Sequence, residues 1–293
     1  MELVAKKVVL ILFLAGLFLI SLTGCMKLAL RSSPTLLQNF SDTVFEECDP
    51  DLAGDAIPAN LMLMEGLLKS DPKNRKILTL LSMGFSGYGM LFMENAEPKR
   101  ASQFYLRARQ YGIRALGEKG DALVEPGAKI ESIQAALETM GTRDFEALFW
   151  TAVSWNAWIN LNLDKPAALS QLGASKACLE RILEMNENYL YGFPHILIGT
   201  TLAATPPMLG GDPEGAKAHF EKALALGERK FFLAQYYFAR YYTARAQDKK
   251  LFFKLLDEVI SGDPQALKDV CLINTIIQSM AGQLRETADD LFF

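Results

Sequence analysis

The chain has 293 residues, 30 basic against 34 acidic, two histidines and a net charge of −4 at pH 7. Half of the residues are apolar. There is no basic excess to hold a polyanion, which excludes nucleic acid as a partner, and the length suits one large domain or a repeat array.

Lys6 and Lys7 give a short positive start, opposed only by Glu2, and residues 8–24 carry no charge. This is the pattern of a secretory signal, shorter than the about 20 apolar residues that cross a bilayer with margin. The run ends on Leu22-Thr23-Gly24-Cys25, the lipobox pattern of bacterial lipoproteins: an aliphatic residue, two small ones, then cysteine. Residues 1–24 are therefore predicted to be a lipoprotein signal peptide, with Cys25 as the lipidation site. Several acyl chains together hold a protein stably on a membrane where one does not. Met26 stands where many inner-membrane lipoproteins have aspartate, so the choice of membrane stays open. Removing 24 residues that hold Lys6, Lys7 and Glu2 leaves 269 residues with a net charge of −5. No other segment reads as long and apolar enough to span a membrane.

Residues 25–39 read as a lipidated tether and 40–293 as one helical domain. No stretch shows the sustained alternation of a strand. Proline recurs at helix-length spacing, in Asp49-Pro50, Asp71-Pro72, Glu97-Pro98, Glu125-Pro126, Lys165-Pro166, Pro206-Pro207, Asp212-Pro213 and Asp263-Pro264. Proline fits the first turn of a helix and not its interior, so each pair marks a helix start or the loop before one. The fold class is all-α. Ala216-Phe220-Ala223 and Ala101-Tyr105-Ala108 repeat the Ala-x3-aromatic-x2-Ala spacing of tetratricopeptide-like units, in which small residues let paired helices approach. The spacing between such units drifts. The reading is a curved array of divergent tetratricopeptide-like helical repeats, with an irregular helical bundle as the alternative.

Residues 145–163 contain all three tryptophans, Trp150, Trp155 and Trp158. Phe145, Leu148, Ala152, Trp155 and Ile159 share one face, and Phe149, Trp150, Val153 and Trp158 cover the others. A helix apolar all round is buried on every side. The stretch reads as the central core helix, with an apolar ligand site or a subunit interface as the alternative. Further on, Phe193-Pro194-His195 opens an apolar helix. The segment Thr205-Pro206-Pro207-Met208-Leu209-Gly210-Gly211-Asp212-Pro213 follows as a loop stiffened by proline, with glycines for unusual backbone angles and Asp212 as a helix cap.

The loop PPMLGGDP, the helix WTAVSWNAWI and the ending ADDLFF together resemble the T-component lipoproteins of TRAP transporters, over most of the chain from about residue 40. The resemblance implies a lipid-anchored periplasmic protein of tetratricopeptide-like helices. Its expected partner is the solute-binding subunit of the transporter, and it is expected to self-associate as a homo-oligomer with an internal pore or channel. Solutes of such systems are small organic acids or more hydrophobic ligands. A general tetratricopeptide scaffold lipoprotein for envelope assembly is the alternative. Trp150, Trp155, Trp158, His195, Pro206, Pro207, Met208 and Leu209 are the candidate ligand or interface residues, expected to line one apolar cavity or interface.

The remaining chemistry is sparse. His195 reads as structural and His219 as a surface residue. No nucleophile–base set or phosphate loop is present, so no catalytic residue, cofactor or metal is assigned, and the protein is expected not to be an enzyme. Glu46, Glu47, Asp49, Asp51 and Asp55 lack calcium-loop spacing and read as a solvated helix end. Lys99, Arg100, Arg107, Arg109 and Arg114 read as an exposed helix face. Cys48, Cys178 and Cys271 are read as three free thiols, buried cysteine behaving as a small hydrophobe, with one disulfide between any two of them as the alternative.

Overall fold

The computed structural model describes residues 34–292. The proposed signal peptide and Cys25 lie outside the described residues. Among the described residues there is no strand, as the missing alternation predicted.

The helices are α1 (Pro34–Glu46), α2 (Pro50–Ser70), α3 (Arg75–Tyr88), α4 (Pro98–Leu116), α5 (Glu118–Leu123), α6 (Ile130–Glu138) and α7 (Phe145–Asn160). After one turn at Pro166–Leu169 come α8 (Leu172–Asn186), α9 (Tyr189–Ala204), α10 (Pro213–Leu226), α11 (Phe232–Tyr237), α12 (Lys249–Ser261) and α13 (Cys271–Glu286). Helix α1 begins at Pro34 and buries Leu37. Helix among the described residues therefore begins before residue 40, within the 25–39 stretch expected to be a tether.

Most of the prolines sit where their missing N–H is harmless; Pro58, inside α2, is the exception. Pro50, Pro98 and Pro213 occupy first turns. Asp49 and Asp212 cap their helices, accepting from the backbone N–H of Leu52 and of Gly215. Pro194 lies within a helix as drawn, but Leu190, Tyr191 and Gly192 before it are all left-handed. The regular helix therefore begins at Phe193, and Pro194 sits in its first turn.

Neighbouring helices pack along the chain, α3 on α4, α4 on α7, α7 on α8 and so on to α12 on α13; α13 then returns to touch α1 and α2. The curved array thus closes on itself. Both Ala-x3-aromatic-x2-Ala sets are fully buried, Ala101, Tyr105 and Ala108 on α4 and Ala216, Phe220 and Ala223 on α10. Where α3, α4 and α7 cross, Gly112 is obligatory: a β-carbon there would lie 2.1 Å from the Thr151 hydroxyl.

Closure corrects the cysteine reading. Cys48, between α1 and α2, is bonded to Cys271 at the start of α13, across 223 residues. Among the described residues Cys178 alone stays free; burial pushes its thiol up to about 12. A second link crosses the array between two π-helical turns, Gly89–Met93 and Phe238–Thr243. Buried Glu94 accepts from the Tyr105 hydroxyl at 2.6 Å and lies 3.6 Å from Arg240, which also donates to Asn95.

Arg75–Met93 corrects the view that no segment after the signal could span a membrane. It is long and apolar enough by composition, but it is mostly buried in the core.

Candidate functional site

Helix α7 is the centre of the core, with Trp150, Trp155 and Trp158 all buried. A buried indole needs a partner for its N–H. Trp155 donates to Gln171 at 2.9 Å, and Trp150 meets the Tyr189 hydroxyl. Phe149 lies edge-on to Trp150, Tyr189 and Phe193. The start of α7 is fixed by Asp144, which accepts from Arg75, Lys119 and the Gly141 N–H at 2.6, 2.9 and 3.0 Å. Burial opposes charge on Asp144, but these donors outweigh it and hold the carboxyl down at about 2.

The 205–212 loop is the opposite kind of site. Pro206 is extended, Pro207–Leu209 forms one 3-10 turn, and Gly210 is left-handed at φ 95°. Leu209 N–H and Gly211 N–H both donate to Pro206 O, and Asp212 N–H donates to Leu202 O. A β-carbon on Gly211 would meet Thr205 O at 1.9 Å, so glycine is required where the loop folds back. On this frame Met208 is 90% exposed and Leu209 48%. A second exposed apolar group, Leu52, Met62 and Leu63, lies on α2.

The expectation of one shared cavity is corrected. Trp150 lines a cleft of about 340 Å³ with α1 residues Gln38, Phe45 and Glu46 and with Lys76, Tyr189 and Asp269. Trp155 and Trp158 lie instead beneath Arg109, which lines a different groove on α4. Met208 and Leu209 face solvent, because the hydrogen bonds that close the loop turn its tip away from α7.

His195 is joined to the base of the loop. Its Nδ1 lies 2.8 Å from Nδ1 of His219, and its Nε2 lies 3.2 Å from Glu187. His219 is half-buried, not a surface residue, and shares a small cleft with Asp212, Thr201 and Leu202. Burial lowers the pKa of both histidines; Glu187 partly offsets this at His195. Neutral His195 then donates from Nε2 to Glu187 and accepts at Nδ1 from His219. Asn156 of α7 donates to Thr201 at 2.7 Å, a polar thread from the tryptophan helix toward this region.

Sequence reasoning missed Arg109. Tyr105, Arg109, Ile113 and Leu116 are spaced i, i+4, i+8 and i+11, and the other three are buried. That spacing was the available signal that Arg109 turns inward, while Arg100, Arg107 and Arg114 stay exposed as expected. The acidic residues at 46–51 behave as a helix end: Asp49 caps α2, and Glu47 accepts from the N–H of Cys48 and Asp49. Among the described residues no group of three or more His, Cys, Asp or Glu is placed to hold a metal ion.

The described residues form an all-α array, joined end to end, that presents an apolar tip on a hydrogen-bonded loop. The chain belongs to the TRAP transporter T-component family, whose model matches residues 46–292. It is thus a transport-associated protein, non-catalytic in kind, of a bacterial membrane transport system. No curated protein matches the sequence.

Proposed function

We propose that this T-component is anchored by lipid on Cys25, faces the periplasm, and docks the solute-binding subunit of its transporter through the 205–212 loop. The observation that carries the docking role is the exposure of Met208 on a hydrogen-bonded frame. A large apolar side chain held rigidly in water gains by being covered, and its ordering cost is already met before contact. Loops on rigid scaffolds are common carriers of binding function. Pro206 and Pro207 stiffen the presentation. The exposed Leu52, Met62 and Leu63 on α2 support a separate contact between copies of the chain, consistent with a homo-oligomer. The helix pairs are read as divergent tetratricopeptide-like repeats, on the strength of the two buried Ala-x3-aromatic-x2-Ala sets. The clefts beside α7 leave room for an apolar or organic-acid ligand.

The test is affinity capture from native envelope extract with the full chain, parent against Met208→Asp. A periplasmic solute-binding subunit as the main partner, lost with the variant, is the expected result. Recovery of envelope-assembly proteins, or equal capture by both chains, overturns it.

A further inference from the structure

The seam where the array closes holds a cleft that the fold leaves unfilled. Its floor is buried, with Leu61 and Met64 of α2 and Leu272 beside the disulfide on α13. Its rim is half-buried, formed by Phe40 and Val44 of α1 and Met83 of α3. The space measures about 70 Å³, room for roughly five waters. Water has little to hold it there. Ser41 at the edge spends its hydroxyl on Gln38 O at 2.8 Å, and a trapped water needs several polar partners. An empty apolar space deprives its lining of contacts, so an apolar group that entered would be held by packing.

Two glycines of α3 line the cleft, and they differ. Gly84 is required by the approach of α2, since a β-carbon there would lie 2.6 Å from Leu61. At Gly87 a β-carbon would meet nothing within 4 Å. Glycine weakens a helix interior relative to alanine. At residue 87 the helix therefore gives up stability and leaves the space open.

The cleft suits a slender alkyl chain, and one is covalently at hand on the reading that Cys25 is lipidated. Cys25 stands nine residues before Pro34, where α1 begins. Nine residues span at most about 32 Å, and Phe40 lies less than two helical turns further on. The first element after the anchor is thus the one that carries part of the rim.

We propose that the cleft takes the end of one acyl chain of the lipid on Cys25, the other chains staying in the membrane. This rests on the proposed lipidation and is independent of the docking loop. The chain leaves one apolar medium for another, so the gain is the filled space and not escape from water. The consequence is that α1 and the seam are held at the bilayer, which fixes the orientation of the array.

The methionines of the cleft supply the reporter. The lipidated full chain is prepared with carbon-13 methionine methyls in deuterated detergent, and its intact mass records the lipid. Nuclear Overhauser effects from acyl methylene protons should reach the methyls of Met64 and Met83, and not that of Met140, which is buried away from the cleft. Cys25→Ser, which carries no lipid, should show none. Gly87→Leu fills the cleft and should lose them while the mass still shows the lipid. If Gly87→Leu fails to fold, the parent and Cys25→Ser decide. Lipid present by mass with no effect at either methionine overturns the proposal. So do effects that persist in Cys25→Ser, the mark of a free lipid or solute in the cleft, or effects that persist in folded Gly87→Leu. A mass without lipid overturns the anchor reading and this proposal together, and the mass alone tells that case from the others.

Discussion

Helix α7 and the 205–212 loop are both rich in large apolar side chains, yet the fold uses them in opposite ways. Trp155 is 1% exposed and Met208 is 90%. In α7 the apolar surface runs all round, so every face meets a neighbour and the tryptophans are consumed by the core. In the loop two prolines and two glycines close a hydrogen-bonded frame around residues that have nothing to pack on. Apolar content alone does not separate a core element from a contact element; what separates them is whether the backbone around it folds inward or closes on itself.

The largest expected effect lies in α7. Trp155→Ala should lose about 3–5 kcal/mol of stability, the usual cost of emptying a filled indole site, read by urea unfolding. A loss below 1 kcal/mol would break the comparison, since the helix would then not be core. Next comes the disulfide. Its chain-entropy contribution over 223 residues is about 5 kcal/mol, and measured losses run about 2–5. The urea midpoint of Cys48→Ser should fall accordingly, with both α7 and the loop region unfolding in one transition.

The start of α7 gives a smaller, pH-dependent effect. The Asp144 carboxyl is held at about 2 in the fold, against about 3.9 in an unfolded chain. Its stabilisation, roughly 2.5 kcal/mol, is full above about pH 4 and is lost as pH falls toward 2. Asp144→Asn should flatten the stability profile in that window and be less stable than the parent at pH 7. The His195–His219 pair lies between the two regions compared. Both pKa values are lowered, so the neutral pair favours the fold; its contribution is present above about pH 6.5 and is lost as pH falls through the folded values. Thermal midpoints at pH 7.5 and 5.5 should differ less in His219→Gln than in the parent. Smallest is the loop itself. Met208→Ala should change unfolding free energy by less than about 0.5 kcal/mol; a larger change would mean that Met208 packs and is not presented.

Much of this was legible. The prolines marked helix starts, the Ala-x3-aromatic-x2-Ala spacing marked buried faces, and the unbroken apolar surface of 145–159 marked the central helix, because each rests on local periodicity or on one backbone constraint. What escaped depends on distant parts of the chain meeting. Three cysteines allow three pairings, and only the return of α13 to α1 selects Cys48 with Cys271. His219 sits on a charged helix and takes its burial from a residue 24 positions away. Leu190 and Tyr191 are left-handed at φ 42° and 58°, which no residue preference predicts; the segment is held where Tyr191 donates to Asp269 and Gly192 packs on Leu226. The shared cavity expected for the tryptophans and the loop failed for the same reason: closeness in character was taken for closeness in space.

The bond that closes the array also sets an order of assembly. A chain emerges from its N-terminus, so the sulfur of Cys48 is available long before that of Cys271. Cys178 emerges between them and is the first cysteine to follow Cys48. The native pairing is therefore the last available along the chain, and in the folded protein the Cys178 thiol is buried away from it. Helix α8, which buries that thiol completely, thereby keeps a third sulfur away from a bond in which it takes no part.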